Sequence, residues 1–164
     1  MKRRIVCLIL CLCLLLPGCG FTGTLNEETV RFYYLCGNYQ ENLCCVLAEE
    51  ARDVSGHTGD LPYLMALYLM GPTNDEHRMP LPSGTRIRTQ IDSGHIILEL
   101  SGLPKTMTDA EFSLACACLT LTCLEIMDAE DVTIHSEDRS RTMDRSTLTL
   151  YDTTSETTST EDAA

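Results

Sequence analysis

Asp60 opens the run DLPYLMALYLMGPTNDEHRMPLPSGTRIRTQIDSGHIILEL, which closes at Leu100 and carries two different periods. In its first part Leu61, Leu64, Met65, Tyr68 and Leu69 recur with the 3.6-residue spacing of one helix face. The Asp60 carboxylate can cap the free amides of a first turn, where Pro62 is tolerated. Gly71-Pro72 stops the element, because glycine accepts the left-handed cap and proline cannot continue a helix. The spacing therefore predicts a short helix over residues 63–70, capped by Asp60, with those five side chains buried. Residues 73–84 are polar and contain two prolines, and they read as an extended loop ending in a turn. From Arg86 the period changes to two. Ile87 and Ile91 lie to one side, and Arg86, Arg88 and Gln90 to the other. Asp92-Ser93-Gly94 turns the chain, after which Ile96, Leu98 and Leu100 face inward while His95 and Glu99 face out. A helix followed by a hairpin places the domain in the α+β class.

The flanking sequence extends this pattern in both directions. Residues 29–35 (TVRFYYL) are β-branched and aromatic, bounded by Gly37-Asn38, and predict a first strand. Residues 42–52 (NLCCVLAEEAR) mix a strand-like start with the helix formers Ala48-Glu49-Glu50-Ala51, which predicts a strand running into a short helix. Residues 55–60 read as a loop. Thr108-Asp109-Ala110-Glu111 has the form of a capping box, and from Phe112 to Met127 the only charge is Glu125, so a long helix follows. Phe112, Cys116, Leu119 and Cys123 share one face, to be turned to the sheet. Leu114, Cys118, Leu121 and Leu124 make the opposite side apolar as well. Leu114, Leu121 and Leu124 must then pack on the first helix or on another molecule, and they form a candidate surface for self-association or partner docking. Residues 132–134 and 147–151 predict two closing strands separated by the polar residues 136–145. The expected architecture is a two-layer α+β sandwich, with two main helices on one face of a mixed or antiparallel sheet.

The two ends are of another character. Lys2, Arg3 and Arg4 precede an unbroken apolar run from Ile5 to Leu16, which is a secretory signal and too short for an ordinary membrane-spanning helix, which needs about 20 residues. Leu16-Pro17-Gly18-Cys19 is similar to a bacterial lipobox, in which the signal is cut before a cysteine that then carries lipid. Cys19 is thus the expected lipidation site, with palmitate among the acyl groups, and simple cleavage with release of a soluble protein is the alternative. Residues 152–164 (DTTSETTSTEDAA) have no apolar side chain larger than alanine, and a disordered acidic tail is expected there. The resulting division is a signal peptide (1–18), an anchor linker (19–28), one folded domain (29–151) and the tail (152–164). Of 164 residues, 24 are acidic and 12 are Lys or Arg, giving a formal charge of −12, which disfavours a nucleic-acid partner because phosphate is repelled.

The run from Leu64 to Pro72 (LMALYLMGP), followed by Pro80-Leu81-Pro82-Ser83-Gly84-Thr85-Arg86-Ile87, resembles the centre of the GerMN domain of spore germination and sporulation lipoproteins in Gram-positive bacteria. The resemblance extends over about residues 29–138, through the hairpin strand ending in Glu99-Leu100-Ser101, the helix with Leu119-Thr120-Leu121-Thr122, and Val132-Thr133-Ile134. It implies a fold similar to the ring-building motif of sporulation channel proteins, and a role in sporulation or germination at the envelope. This chain carries one copy of a domain that also occurs in tandem. Gly71, Pro72, Pro82 and Gly84, the residues that carry the likeness, shape turns and leave activity unassigned.

Catalytic chemistry finds little support in the residues. No G-x-S-x-G elbow occurs, and Val54-Ser55-Gly56-His57 and Asp92-Ser93-Gly94-His95 read as turns. Asp75, Glu76 and His77 could bind a metal or shuttle protons, but adjacent residues in a proline-flanked loop are more often solvated. Apart from the signal and Cys19, the cysteines are Cys36, Cys44, Cys45, Cys116, Cys118 and Cys123, with no C-x-x-C pair to chelate zinc. Cys116 and Cys123 lie about 10 Å apart along a helix, too far to bridge, though disulfides from Cys36, Cys44 or Cys45 to the long helix stay open. The expectation is a non-enzymatic, lipid-anchored envelope module on the extracytoplasmic face of the membrane, without metal or cofactor. Its partners would be other envelope proteins or its own copies. A metal- or thiol-dependent enzyme and a solute-binding lipoprotein are the alternatives.

Overall fold

The computed structural model describes residues 28–37 and 46–148. Strand β1 (Thr29–Cys36) buries Val30, Phe32 and Tyr34 at every second position, as its alternation requires. It pairs antiparallel with β2 (Leu47–Asp53), Phe32 opposite Glu50 and Val30 opposite Arg52. The short helix expected at Ala48–Ala51 is thus strand. Pairing along β1 overrides the local helical propensity, and Glu50 and Arg52 find partners on the inner face that a helix would not offer them. Helix α1 (Leu61–Leu69) starts as expected, with the Asp60 carboxylate accepting from the Tyr63 amide at 3.1 Å, and it buries Leu61, Leu64, Met65 and Tyr68, leaving Leu69 half-buried. The loop that follows contains a two-residue strand, β3 (His77–Arg78), paired with Leu35 and Cys36.

Strands β4 (Arg86–Asp92) and β5 (His95–Ser101) form the expected hairpin, from Arg86 opposite Ser101 to Asp92 opposite His95. Its two-residue turn has φ of 51° at Ser93 and 88° at Gly94, the twist that suits a right-handed hairpin. Ile96, Leu98 and Leu100 are buried, but Ile91, expected inside, is 52% exposed because it lies at the turn end, past the helix cover. The capping box holds: Thr108 Oγ1 accepts from the Glu111 amide at 3.2 Å, and Glu111 Oε2 accepts from the Thr108 amide at 2.7 Å. It launches α2 (Asp109–Ile126), the crossover that lets β6 (Asp131–His135) run parallel to β5. The closing strand β7 (Ser140–Met143) falls within the segment expected to be a polar connection. Thr147 is in a turn instead, its amide bound to Asp144 Oδ1 at 2.7 Å, and residues 149–151 lie outside the described residues. Alternation misleads here because β7 is an edge strand whose pairing, Thr133 opposite Thr142, is polar on its outer side.

The α+β class stands, and the strands divide between a sheet ordered β2-β1-β3 and a sheet ordered β4-β5-β6-β7. On its β3 side, β1 pairs only at Leu35 and Cys36, and Tyr33 is held there by the helices instead. Its amide donates to Thr122 Oγ1 of α2 at 3.0 Å, and its carbonyl accepts from the Tyr68 hydroxyl of α1 at 3.0 Å. Both helices thus cover an edge that would otherwise recruit a strand. Helix α2 packs on β1, β6 and β7. Phe112, Cys116, Leu119 and Cys123 are buried as expected, and so are Cys118 and Leu124, the latter only 4% exposed. Leu124 is therefore core and offers no partner surface. Strands from both sheets enclose the helix, so its burial needs no second molecule at that position.

Candidate functional site

The segment after β3 and the start of α2 enclose a groove of about 310 Å³. Met79, Pro80, Leu81 and Pro82 form one wall, with Met107 and Leu114 opposite. Proline rings give that wall a fixed shape, because their φ is locked and ordering them costs little further entropy. Buried Thr85 secures it, donating from its amide and its hydroxyl to the Pro82 carbonyl at 3.2 and 2.7 Å. Two features read separately from the sequence thus meet: Pro82 of the turn motif and half-buried Leu114 of the supposed docking stripe. Leu121, also half-buried, is two turns further along α2 and does not line the groove.

A polar node lies beside the Gly71-Pro72 stop. Arg52 Nε is 2.7 Å from Glu50 Oε1, and both side chains are nearly buried. The guanidinium donates to the Leu67 carbonyl at 3.3 Å and to the Gly71 carbonyl, closing the C-terminus of α1, where helix carbonyls lack partners. It also lies over the rings of Phe32 and Tyr34, 5.4 and 5.6 Å from their centroids. Glu50 in turn accepts from the Thr73 amide at 3.1 Å, the Thr73 hydroxyl at 2.7 Å and the Asn74 amide at 3.3 Å. Burial pushes the Glu50 carboxyl up, but the hydrogen bonds from Thr73, Arg52 and Asn74 outweigh it and hold the group down at about 2. Gly71, at φ 89°, takes the left-handed conformation expected of it, and Gly84 does so at 88°.

Asp75, Glu76 and His77 do not converge on one point. His77 turns to the node, its Nδ1 3.4 Å from Glu50 Oε2, while Glu76 uses its carbonyl to accept the Gly37 amide. Gly37 is required there, since a Cβ would sit 2.6 Å from the Glu76 oxygen. Among the described residues no group of three or more His, Cys, Asp or Glu side chains is placed to hold a metal ion. Cys36, Cys116, Cys118 and Cys123 are free thiols, and burial pushes the last three up to about 12, so they stay protonated and unreactive near neutrality. Cys19, Cys44, Cys45 and the tail lie outside the described residues.

No family model and no curated protein matches the chain. Among solved structures, the first GerMN domain of the sporulation protein GerM from Bacillus subtilis is similar in fold. Its TM-score is 0.51 at 16% identity, over 69% of this chain and 85% of that one. The tandem GerMN domains of the same protein match at a TM-score of 0.45 and 16% identity, over 68% of this chain and 39% of that one. The first of these shows that the chain has a GerMN-like fold, which is what the run from Leu64 to Ile87 implied.

Proposed function

We propose that this protein is a non-enzymatic module of the cell envelope, held on the outer face of the membrane by lipid at Cys19, that docks another envelope protein or a second copy in the groove beside Leu114. The groove carries the proposal: prolines and apolar side chains wall it together with the charged Arg78 and Glu111, and it is built in part from the turn motif on which the GerMN likeness rests. The basic start, the apolar run and Gly18-Cys19 support export and anchoring. A role in sporulation or germination is proposed from the fold shared with the first GerMN domain of a sporulation protein. Mass spectrometry of the mature protein tests the anchor. Lipid at Cys19, with release from membranes on Cys19→Ala, is expected, and an unmodified soluble form would refute it. A photo-crosslinking residue at position 114 tests the groove: a defined crosslinked species, missing when the probe stands at Thr142 on β7, is expected. Absence of any species at 114 in membranes would refute docking there, and the mass of the adduct separates self-association from a different protein.

A further inference from the structure

His95 opens β5 directly after the Ser93-Gly94 turn, and three carboxylates from two stretches of chain, the end of β4 and residues 130–131, act on its imidazole. Asp92 ends β4 and is its partner across the hairpin, and Asp131 begins β6 and is its partner across the parallel pairing. His95 Nδ1 is 3.0 Å from Asp131 Oδ2, and Nε2 is 3.9 Å from Glu130 Oε2. The Glu130 amide donates to the Gly94 carbonyl at 2.9 Å, so backbone and side chain join the same two segments. These segments are the hairpin turn and the link from α2 to β6, brought together only by the crossover.

We propose that His95 is a proton-operated clasp that fastens the β4–β5 turn to the start of β6. The imidazolium has a donor on each ring nitrogen and can face Asp131 and Glu130 at once. A neutral ring donates from one nitrogen only and turns a lone pair toward the other carboxylate, which repels it. Asp92, Glu130 and Asp131 are the charged groups that act on the ring. The hydrogen bond to Asp131, and after it the Asp131 charge, raise the His95 pKa above its usual value; burial opposes them, and the charges of Glu130 and Asp92 add to the rise. Because the folded value is raised, the clasp is fully fastened below the unfolded value of about 6.5 and is released as pH rises through the higher folded value. The ring is 46% exposed, so the effect is local and weakens with salt.

The test is carried out on the full chain in detergent micelles, following the His95 ring by NMR between pH 5 and 9 together with the exchange protection of the Glu130 amide. His95 is expected to titrate above about 6.5, and Glu130 protection, corrected for intrinsic exchange, to fall about twofold as it does so, the scale of an exposed ion pair. His95→Gln should make that protection independent of pH. Asp131→Asn, which leaves the histidine as a reporter, should lower its pKa. Protection that stays constant through the titration, or a His95 pKa at or below the ordinary value, overturns the clasp.

Discussion

Glu50 and Arg52 are two residues apart, and on a strand that spacing sends both to one face. They close the end of α1 and hold the Thr73-Asn74 segment, so removing either leaves a nearly buried charge without its partner. Arg52→Met is expected to cost about 3 kcal/mol in denaturant unfolding, the scale for breaking a buried pair on one side. Glu50 also has a pH signature. Its folded value of about 2 lies below the ordinary 4.5, so its contribution is present above 4.5 and is lost as pH falls toward 2. Acid unfolding of Glu50→Gln should therefore be less steep through that window than unfolding of the parent chain. Equal steepness would show that Glu50 does not set the acid limit. The pair was not legible in the sequence, because Ala48-Glu49-Glu50-Ala51 has the composition of a helix, in which Glu50 and Arg52 would diverge.

Among the elements, β1 depends on side chains from both helices to complete its outer edge. Thr122 accepts from the Tyr33 amide while donating to the Cys118 carbonyl at 2.8 Å, so its hydroxyl is satisfied on both sides. Thr122→Val keeps the shape and removes the acceptor, which should cost about 1 kcal/mol, the low end of the penalty for an unpaired amide, because the contact is only partly buried. Thr122→Ser should recover most of it. If valine proves neutral in thermal unfolding, the contact contributes packing alone. Capping box, hairpin and helix stop were legible because each is local: partners three or four residues apart find one another whatever the rest of the chain does. The edge contact between Tyr33 and Thr122 spans 89 residues, and no local signal marks it.

At the scale of the molecule, α2 separates core from surface along its own length. Leu124 is 4% exposed, whereas Leu114 is half-buried beside the groove. Leu124→Asp should unfold the domain, since it buries a charge without a partner. Leu114→Asp should leave the melting temperature within a few degrees of the parent and abolish crosslinking from a photo-probe placed at Met79 in the same groove. Unfolding by both substitutions to the same extent would mean that α2 is core throughout and presents no contact surface.

The sequence by itself determined the elements whose causes are local. These are α1 between Asp60 and Gly71-Pro72, the hairpin around Ser93-Gly94, the capped long helix, and the likeness that implied a GerMN-like fold. The tertiary structure alone decided that residues 48–51 are strand and that β7 precedes Thr147. It also decided that Leu124 belongs to the core and that Pro82 and Leu114 share a groove. The physical reason is the same in each case. Periodicity shows that a face is apolar, but what covers that face depends on which distant strand or helix reaches it first, and here the crossover of α2 between two sheets settles the matter.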